Sequence, residues 1–201
     1  MNEAYARQSL SDICSKLYDR KLTVSAGGNM SVRLNENEVL ITPSGRNKGS
    51  LAPDDMVKLT MSGEVIGAGR PSIEHKFHLA LYSRNSDTNA IVHCHPLYCT
   101  TLAVKNTKIR CDLTPEGVLL LGDVRTVDYF TPGSQELVDA VAENSPYPVM
   151  LMKRHGALTQ GKNLEEAFDR MEELEFQAHL QILAGRAKGL SRSEIEKIRG
   201  M

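Results

Sequence analysis

Apolar residues recur at Ala6, Leu10, Ile13, Cys14 and Leu17, one face of a helix over residues 3 to about 18. A turn at residues 25–29 leads into two β-branched and aliphatic runs, 30–34 and 38–42. Asn35 to Asn37 separate them, which predicts a hairpin. Pro71 and Ser72 start a helix to about residue 83, with Ile73, Phe77 and Leu81 on its buried stripe. Residues 89–95 read as a strand and Leu97–Val104 as a returning helix. Residues 118–130 hold two short strands, and Ser134 caps a helix carrying Leu137, Val138 and Val141. Residues 149–153 form another strand. The longest helix starts at Asn163, with Glu166 completing a capping box, turns Leu164, Phe168, Met171, Leu174, Ala178 and Ile182 inward, and stops at Gly185. Ser191 and Glu194 cap a last short, polar helix. Early hairpins without a strict βαβ rhythm predict an α/β fold, a three-layer α/β/α sandwich on a largely antiparallel central sheet. One domain covers residues 1–201, and a tail from about residue 189 is free to be mobile.

Charge narrows the function classes. A formal net charge of -1 offers no field toward nucleic acid or an anionic membrane. No apolar run approaches the roughly 18 residues that span a bilayer. The first twelve residues are polar and lack the basic stretch and apolar core of a secretory signal. Cys14, Cys94, Cys99 and Cys111 form no C-x-x-C pair, so reduced thiols and a cytoplasmic location are expected.

The candidate chemistry centres on Ile91-Val92-His93-Cys94-His95-Pro96. Strand alternation points His93 and His95 one way and Cys94 the other, and imidazoles about 7 Å apart along a strand can share one ion. His155, just beyond the strand at 149–153, offers a third nitrogen, with Gly156 expected to free the backbone for a sharp turn. Three histidines suit zinc and leave positions open for water or substrate. The competing reading is two surface histidines near a turn and an unrelated third. His75 and His78 share a helix with Glu74, and the E-x-x-x-H pair at 74 and 78 is either a second ligand pair or an ordinary helix pair. His179 reads as a packing or subunit-contact residue.

Glu74 follows Pro71 and Ser72 in the first turn of its helix, where a carboxylate or a bound anion is favoured. By itself that is capping. Two further loops are rich in small donors: Ser25-Ala26-Gly27-Gly28-Asn29, whose backbone N–H groups can converge on a phosphate, and Thr42-Pro43-Ser44-Gly45, with Arg46 and Lys48 close behind. The first lacks G-x-G-x-x-G spacing, against a dinucleotide site.

Five segments in this order and spacing resemble the class II aldolase/adducin family, closest to its L-fuculose-1-phosphate aldolases. They are Gly27-Gly28-Asn29-Met30-Ser31, Ile41-Thr42-Pro43-Ser44-Gly45, Arg70-Pro71-Ser72-Ile73-Glu74, His93-Cys94-His95 and Arg154-His155-Gly156, and the likeness runs from about residue 5 to 185. It implies one Zn2+ per chain on His93, His95 and His155. Glu74 would be a resting ligand that becomes the acid–base once substrate displaces it. A substrate phosphate would lie on Gly28, Asn29, Ser44, Gly45 and Ser72. It further implies a homotetramer with active sites between subunits. The implied reaction cleaves a phosphorylated sugar, through a metal-stabilised enediolate, to dihydroxyacetone phosphate and a small aldehyde such as L-lactaldehyde. Two family hydroxyls are missing, since Ala26 and Ile73 stand where the fuculose enzymes place threonine and serine. Arg46 or Lys48 is a candidate to compensate. No tyrosine follows Tyr147 to handle the leaving hydroxyl from the tail, which leaves Tyr129 as a substitute.

Relatives in the same fold include a pentulose-phosphate 4-epimerase, a methylthioribulose-phosphate dehydratase and a sugar-acid phosphate decarboxylase, and these stand as the alternative reactions. A noncatalytic adducin-like module would lack the ligands that this chain retains.

Overall fold

Asn2 opens the first helix by accepting hydrogen bonds from the N–H groups of Ala4 and Tyr5, and α1 (Glu3–Asp19) follows with the predicted stripe buried. The computed structural model describes residues 2–200. The hairpin of β1 (Asn29–Arg33) and β2 (Glu38–Ile41) comes next, extended by β3 (Val57–Thr60) and β4 (Val65–Ile66). Then come α2 (His75–Arg84), β5 (Ala90–Cys94), α3 (Leu97–Val104), β6 (Arg125–Val127) and α4 (Gln135–Glu143). The strands β7 (Val149–Met152) and β8 (Gly156–Gly161) precede α5 (Leu164–Ala184) and α6 (Arg192–Arg199). No helix among the described residues is long and apolar enough to cross a membrane.

The strands form one eight-stranded sheet in the order β4-β3-β2-β1-β5-β8-β7-β6. Every pairing is antiparallel except β6 with β7, so the sheet is largely antiparallel as expected. Alternation along β5 splits the core. Ala90, Val92 and Cys94 join one apolar cluster with residues of α1, α3 and α5, while Ile91 joins another with residues of α2 and α4. Burial on both faces explains why β5 and β7 read as continuous apolar runs.

Several elements depart from the sequence reading. Residues 118–130 hold one strand, β6, rather than two. The preceding Gly117–Leu121 forms a π-helical turn in which Val118 and Leu121 are buried and Leu119 and Leu120 face outward. An unbroken apolar run does not declare its period, and the i, i+3 burial here is helical. β8 was not expected, because Gly-Ala-Leu-Thr-Gln-Gly is buried throughout and shows no alternation. α2 starts at His75, not at Pro71. Pro71 bridges to Pro43, and that bridge keeps residues 71–74 out of the helix and leaves Ile73 exposed rather than on a buried stripe. Ile182, expected inward, is also exposed near the end of α5. Glu166 does help cap α5, but it returns its hydrogen bond to the N–H of Lys162 rather than to Asn163.

Candidate metal centre and anion pocket

His93 sits in the middle of the sheet, fully buried, with its Nδ1 at 2.9 Å from the carbonyl of Ala157 on the neighbouring β8. A carbonyl only accepts, so Nδ1 carries the proton and Nε2 presents a lone pair. His95 follows the end of β5 and brings its Nε2 to 3.2 Å from that of His93. Space for it comes from Gly156, where a Cβ would lie 2.5 Å from His95 Cδ2 and against the carbonyl of Cys94. Gly28 closes the other side. It holds a φ of 70°, and a Cβ there would strike the His93 carbonyl.

His155 lies in the short connection between β7 and β8. The sharp turn was expected from Gly156, but Arg154 makes it, at a φ of 53°. Gly156 matters for close approach instead. A non-glycine residue in the left-handed region costs about 1–2 kcal/mol, which the paired strands on either side hold in place.

Candidate metal-ligating atoms of His93, His95 and His155 lie within 4.8 Å of one another. Ligands at tetrahedral zinc with bonds of about 2.0–2.1 Å stand roughly 3.3 Å apart, close to the His93–His95 separation. Glu74 stands beside this group. Its Oε2 is 3.4 Å from His93 Nε2 and its Oε1 is 3.4 Å from His155 Nε2, and Oε1 has no hydrogen-bond partner. Burial, then the neighbouring imidazoles, keeps His93 far below the ordinary histidine range. Burial, then Lys48, lowers His95; burial, then His95, brings His155 to about 4. All three therefore stay neutral with lone pairs available at neutral pH. Burial pushes Glu74 up, against the opposing hydrogen bond from Asn29. A buried carboxylate 3.4 Å from two of three clustered neutral imidazoles fits a divalent cation held among them.

Glu74 is not in the first turn of α2 but at its N-cap, and its side chain caps nothing. Ser72 Oγ accepts the Glu74 N–H at 3.3 Å, which frees the carboxylate to turn toward Asn29 and the histidines. The small-residue loops are stitched together beside it. Ser44 N–H donates to Arg70 O and Ser72 N–H to Thr42 O around the Pro43–Pro71 bridge. Gly28, Asn29, Ser44, Gly45 and Ser72 all line one cavity of about 370 Å³, shared with Glu74, His95 and His155. His93 lies behind it.

The other candidates separate clearly. Lys48 lines the cavity and donates from its Nζ to the carbonyls of Ala26 and Arg46, tying two loops together. Arg46 points to Asp55 instead. Tyr129 is exposed and is not among the cavity residues. Cys94 is buried on the opposite face, His75 Nδ1 faces the Ser72 carbonyl, and His179 stacks on Tyr98 with ring centroids 3.8 Å apart. Sequence reasoning missed the link from Asn29 to Glu74 and the burial of His78. The only hint was a polar residue one turn from Glu74 and next to the buried Phe77.

The family model for the class II aldolase and adducin N-terminal domain matches residues 8–182. An L-fuculose phosphate aldolase of Methanocaldococcus jannaschii is 40% identical over 171 residues, covering 85% of this chain and 92% of that one. A 3-oxo-tetronate 4-phosphate decarboxylase of Haemophilus influenzae is 34% identical over 186 residues, covering 90% and 88%. The crystal structure of YgbL from Escherichia coli superposes with a TM-score of 0.92 at 31% identity, covering 98% of this chain and 99% of that one.

Proposed function

The chain belongs to the class II aldolase and adducin N-terminal domain family, and from that premise we propose that it is a zinc-dependent aldolase acting on a phosphorylated ketose of the L-fuculose 1-phosphate type. It is an enzyme of the metal-dependent carbon–carbon lyase class. The products would be dihydroxyacetone phosphate and a small aldehyde such as L-lactaldehyde. The observation that carries the reading is the meeting, at one cavity, of His95 and His155 with His93 behind them, an under-bonded buried carboxylate and three donor-rich loops.

His93, His95 and His155 would hold the ion, with Glu74 as fourth ligand at rest. A zinc-type ion there supplies Lewis-acid polarisation of the ketose carbonyl and offsets the negative charge that bond cleavage leaves. Gly28, Asn29, Ser44, Gly45 and Ser72 would seat the phosphate, with Lys48 adding positive charge to the same cavity. Asn29 has its side-chain amide already committed to Glu74 and His78. Glu74 would deliver a proton to the carbon beside the carbonyl, and burial, which raises its pKa, favours holding that proton once the carboxylate leaves the metal.

A second reading is favoured by one absence from the cavity wall. No tyrosine is among its lining residues, and aldol cleavage needs a group to take the proton of the leaving hydroxyl. A 3-oxo-tetronate 4-phosphate is a β-keto acid that loses CO2 and leaves dihydroxyacetone phosphate, with the same proton asked of Glu74. Release of dihydroxyacetone phosphate therefore does not separate the two. Metal content and product analysis on both substrates will: one zinc per chain with L-lactaldehyde release supports the aldolase, and CO2 release supports the decarboxylase. Chelated protein should lose activity and regain it with zinc, and full activity without metal would sink both. Glu74→Gln should lower kcat by roughly 10²–10⁴-fold while His93, His95 and His155 still hold the metal, at weaker affinity.

The same resemblance extends to a homotetramer with sites between neighbouring chains. Exposed Leu183, Leu97 and Phe176 support such contacts. A cytoplasmic location, a single domain and a three-layer α/β/α arrangement complete the reading, the last supported by apolar clusters on both faces of the sheet.

A further inference from the structure

Glu74 and His78 stand one turn apart, yet the histidine never reaches the His93 cluster. It reaches Asn29. His78 Nε2 lies 2.5 Å from Asn29 Oδ1, and Asn29 Nδ2 donates to Glu74 Oε2 at 2.8 Å. On the other side of the ring, His78 Nδ1 lies 2.7 Å from Ser31 Oγ, which is itself 2.7 Å from the hydroxyl of Tyr82. Asn29, Ser31, His78 and Tyr82 are all buried.

The chemistry of each atom orders the protons along this chain. An amide oxygen can only accept, so His78 Nε2 carries its ring's proton. A neutral imidazole then has a bare Nδ1, which accepts from the Ser31 hydroxyl. Ser31, having donated, accepts from Tyr82. The opposite polarity would aim Asn29 Oδ1 at the Glu74 carboxylate, setting two acceptors against each other. A chain of four buried polar side chains thus ends, through Asn29, on one oxygen of one carboxylate, while its other oxygen, Oε1, is left without a hydrogen-bond partner at 3.4 Å from His155 Nε2. A satisfied polar network of this kind fixes a single arrangement.

We propose that His78 is a positioning residue: acting through Asn29, it sets the direction of the hydrogen bond that Glu74 receives and presents the carboxylate, ionised and with Oε1 free, to a metal held by His93, His95 and His155. The inference rests on the metal-centre reading above. A histidine that merely fills the core would be indifferent to which of its two nitrogens is replaced.

The test compares zinc affinity, by competition with a chromogenic chelator, in wild type, His78→Gln and His78→Asn. Glutamine keeps an N–H near the place of Nε2 and can still direct Asn29; asparagine reaches only the place of Nδ1 and cannot. H78N should bind zinc roughly 10–100-fold more weakly, as loss of an outer partner of a ligand does, with H78Q near wild type. Wild-type affinity in H78N would overturn the proposal, as would equal losses in both variants that track their loss of thermal stability. ¹⁵N spectra of the metal-free wild type need no variant: the Nε2–H tautomer of His78 is expected, and the Nδ1–H tautomer would overturn it. If wild type itself binds no zinc, the metal-centre reading falls and this inference with it. A wild type that binds zinc beside an indifferent H78N sinks the inference alone.

Discussion

His78 has no exposed surface, and burial holds it at about 3 against an ordinary value of 6.5. The unfolded chain takes up a proton there as pH falls through 6.5, while the folded chain refuses it until about 3. The stability tied to this group is complete above pH 6.5 and drains away between 6.5 and about 3, at roughly 1.4 kcal/mol per pH unit. Urea titration of the metal-free protein at pH 7 and pH 5 should show the drop, with a shallower one in His78→Gln; equal slopes would clear His78 of the acid sensitivity. At this scale the sequence was uneven in what it revealed. His93 and His95 could be paired because alternation along a strand is a rigid rule. The work of Gly156 was misassigned, since a glycine beside a turn announces freedom of φ and says nothing of the Cys94 carbonyl packed against it. His78 was ambiguous because helical spacing alone does not tell a ligand from a neighbour of a ligand.

Between residue and fold stand the connections, and much of the site is built from them. Glu74 lies just before α2, His95 just after β5, and His155 between β7 and β8, each where regular structure ends and a side chain can turn inward. Such ends are also where the sequence reading slipped. α2 was begun too early because the Pro43–Pro71 bridge joins segments far apart in the chain, and β8 went unseen because burial on both faces erases its alternation. The close approach of β8 to the end of β5 gives a test. Gly156→Ala places a Cβ 2.5 Å from His95 Cδ2, so His95 must move away from the position that brings it to His93. Zinc affinity should fall by at least 10-fold, more than the loss of thermal stability in metal-free protein accounts for. Unchanged zinc binding would show that His95 tolerates the shift and that the cradle is not tight.

Across the whole molecule, the central strands β1, β5 and β8 carry or border the residues at issue, while the two-residue β4 and three-residue β6 close the edges. No short stretch of chain holds the site. Asn29 meets Glu74 across 45 positions, and His93 meets Ala157 across 64. Assembly of the site therefore waits on long-range strand pairing, the slow part of folding for such topologies. Zinc is not expected to template that process, because the unfolded chain holds only local pieces of the site, such as His93-Cys94-His95, with Glu74 and His155 far along the chain. In denaturant-jump kinetics, zinc should leave the folding rate unchanged, and at a free concentration about 100 times its Kd it should slow unfolding roughly 100-fold. Faster folding with zinc would mean that the ligands gather before the sheet does. On this account the proposed ion would act as a latch on a finished structure: His155, between β7 and β8, meets His93 and His95 only once those strands have paired beside β5, so metal occupancy would report that the last strands have closed.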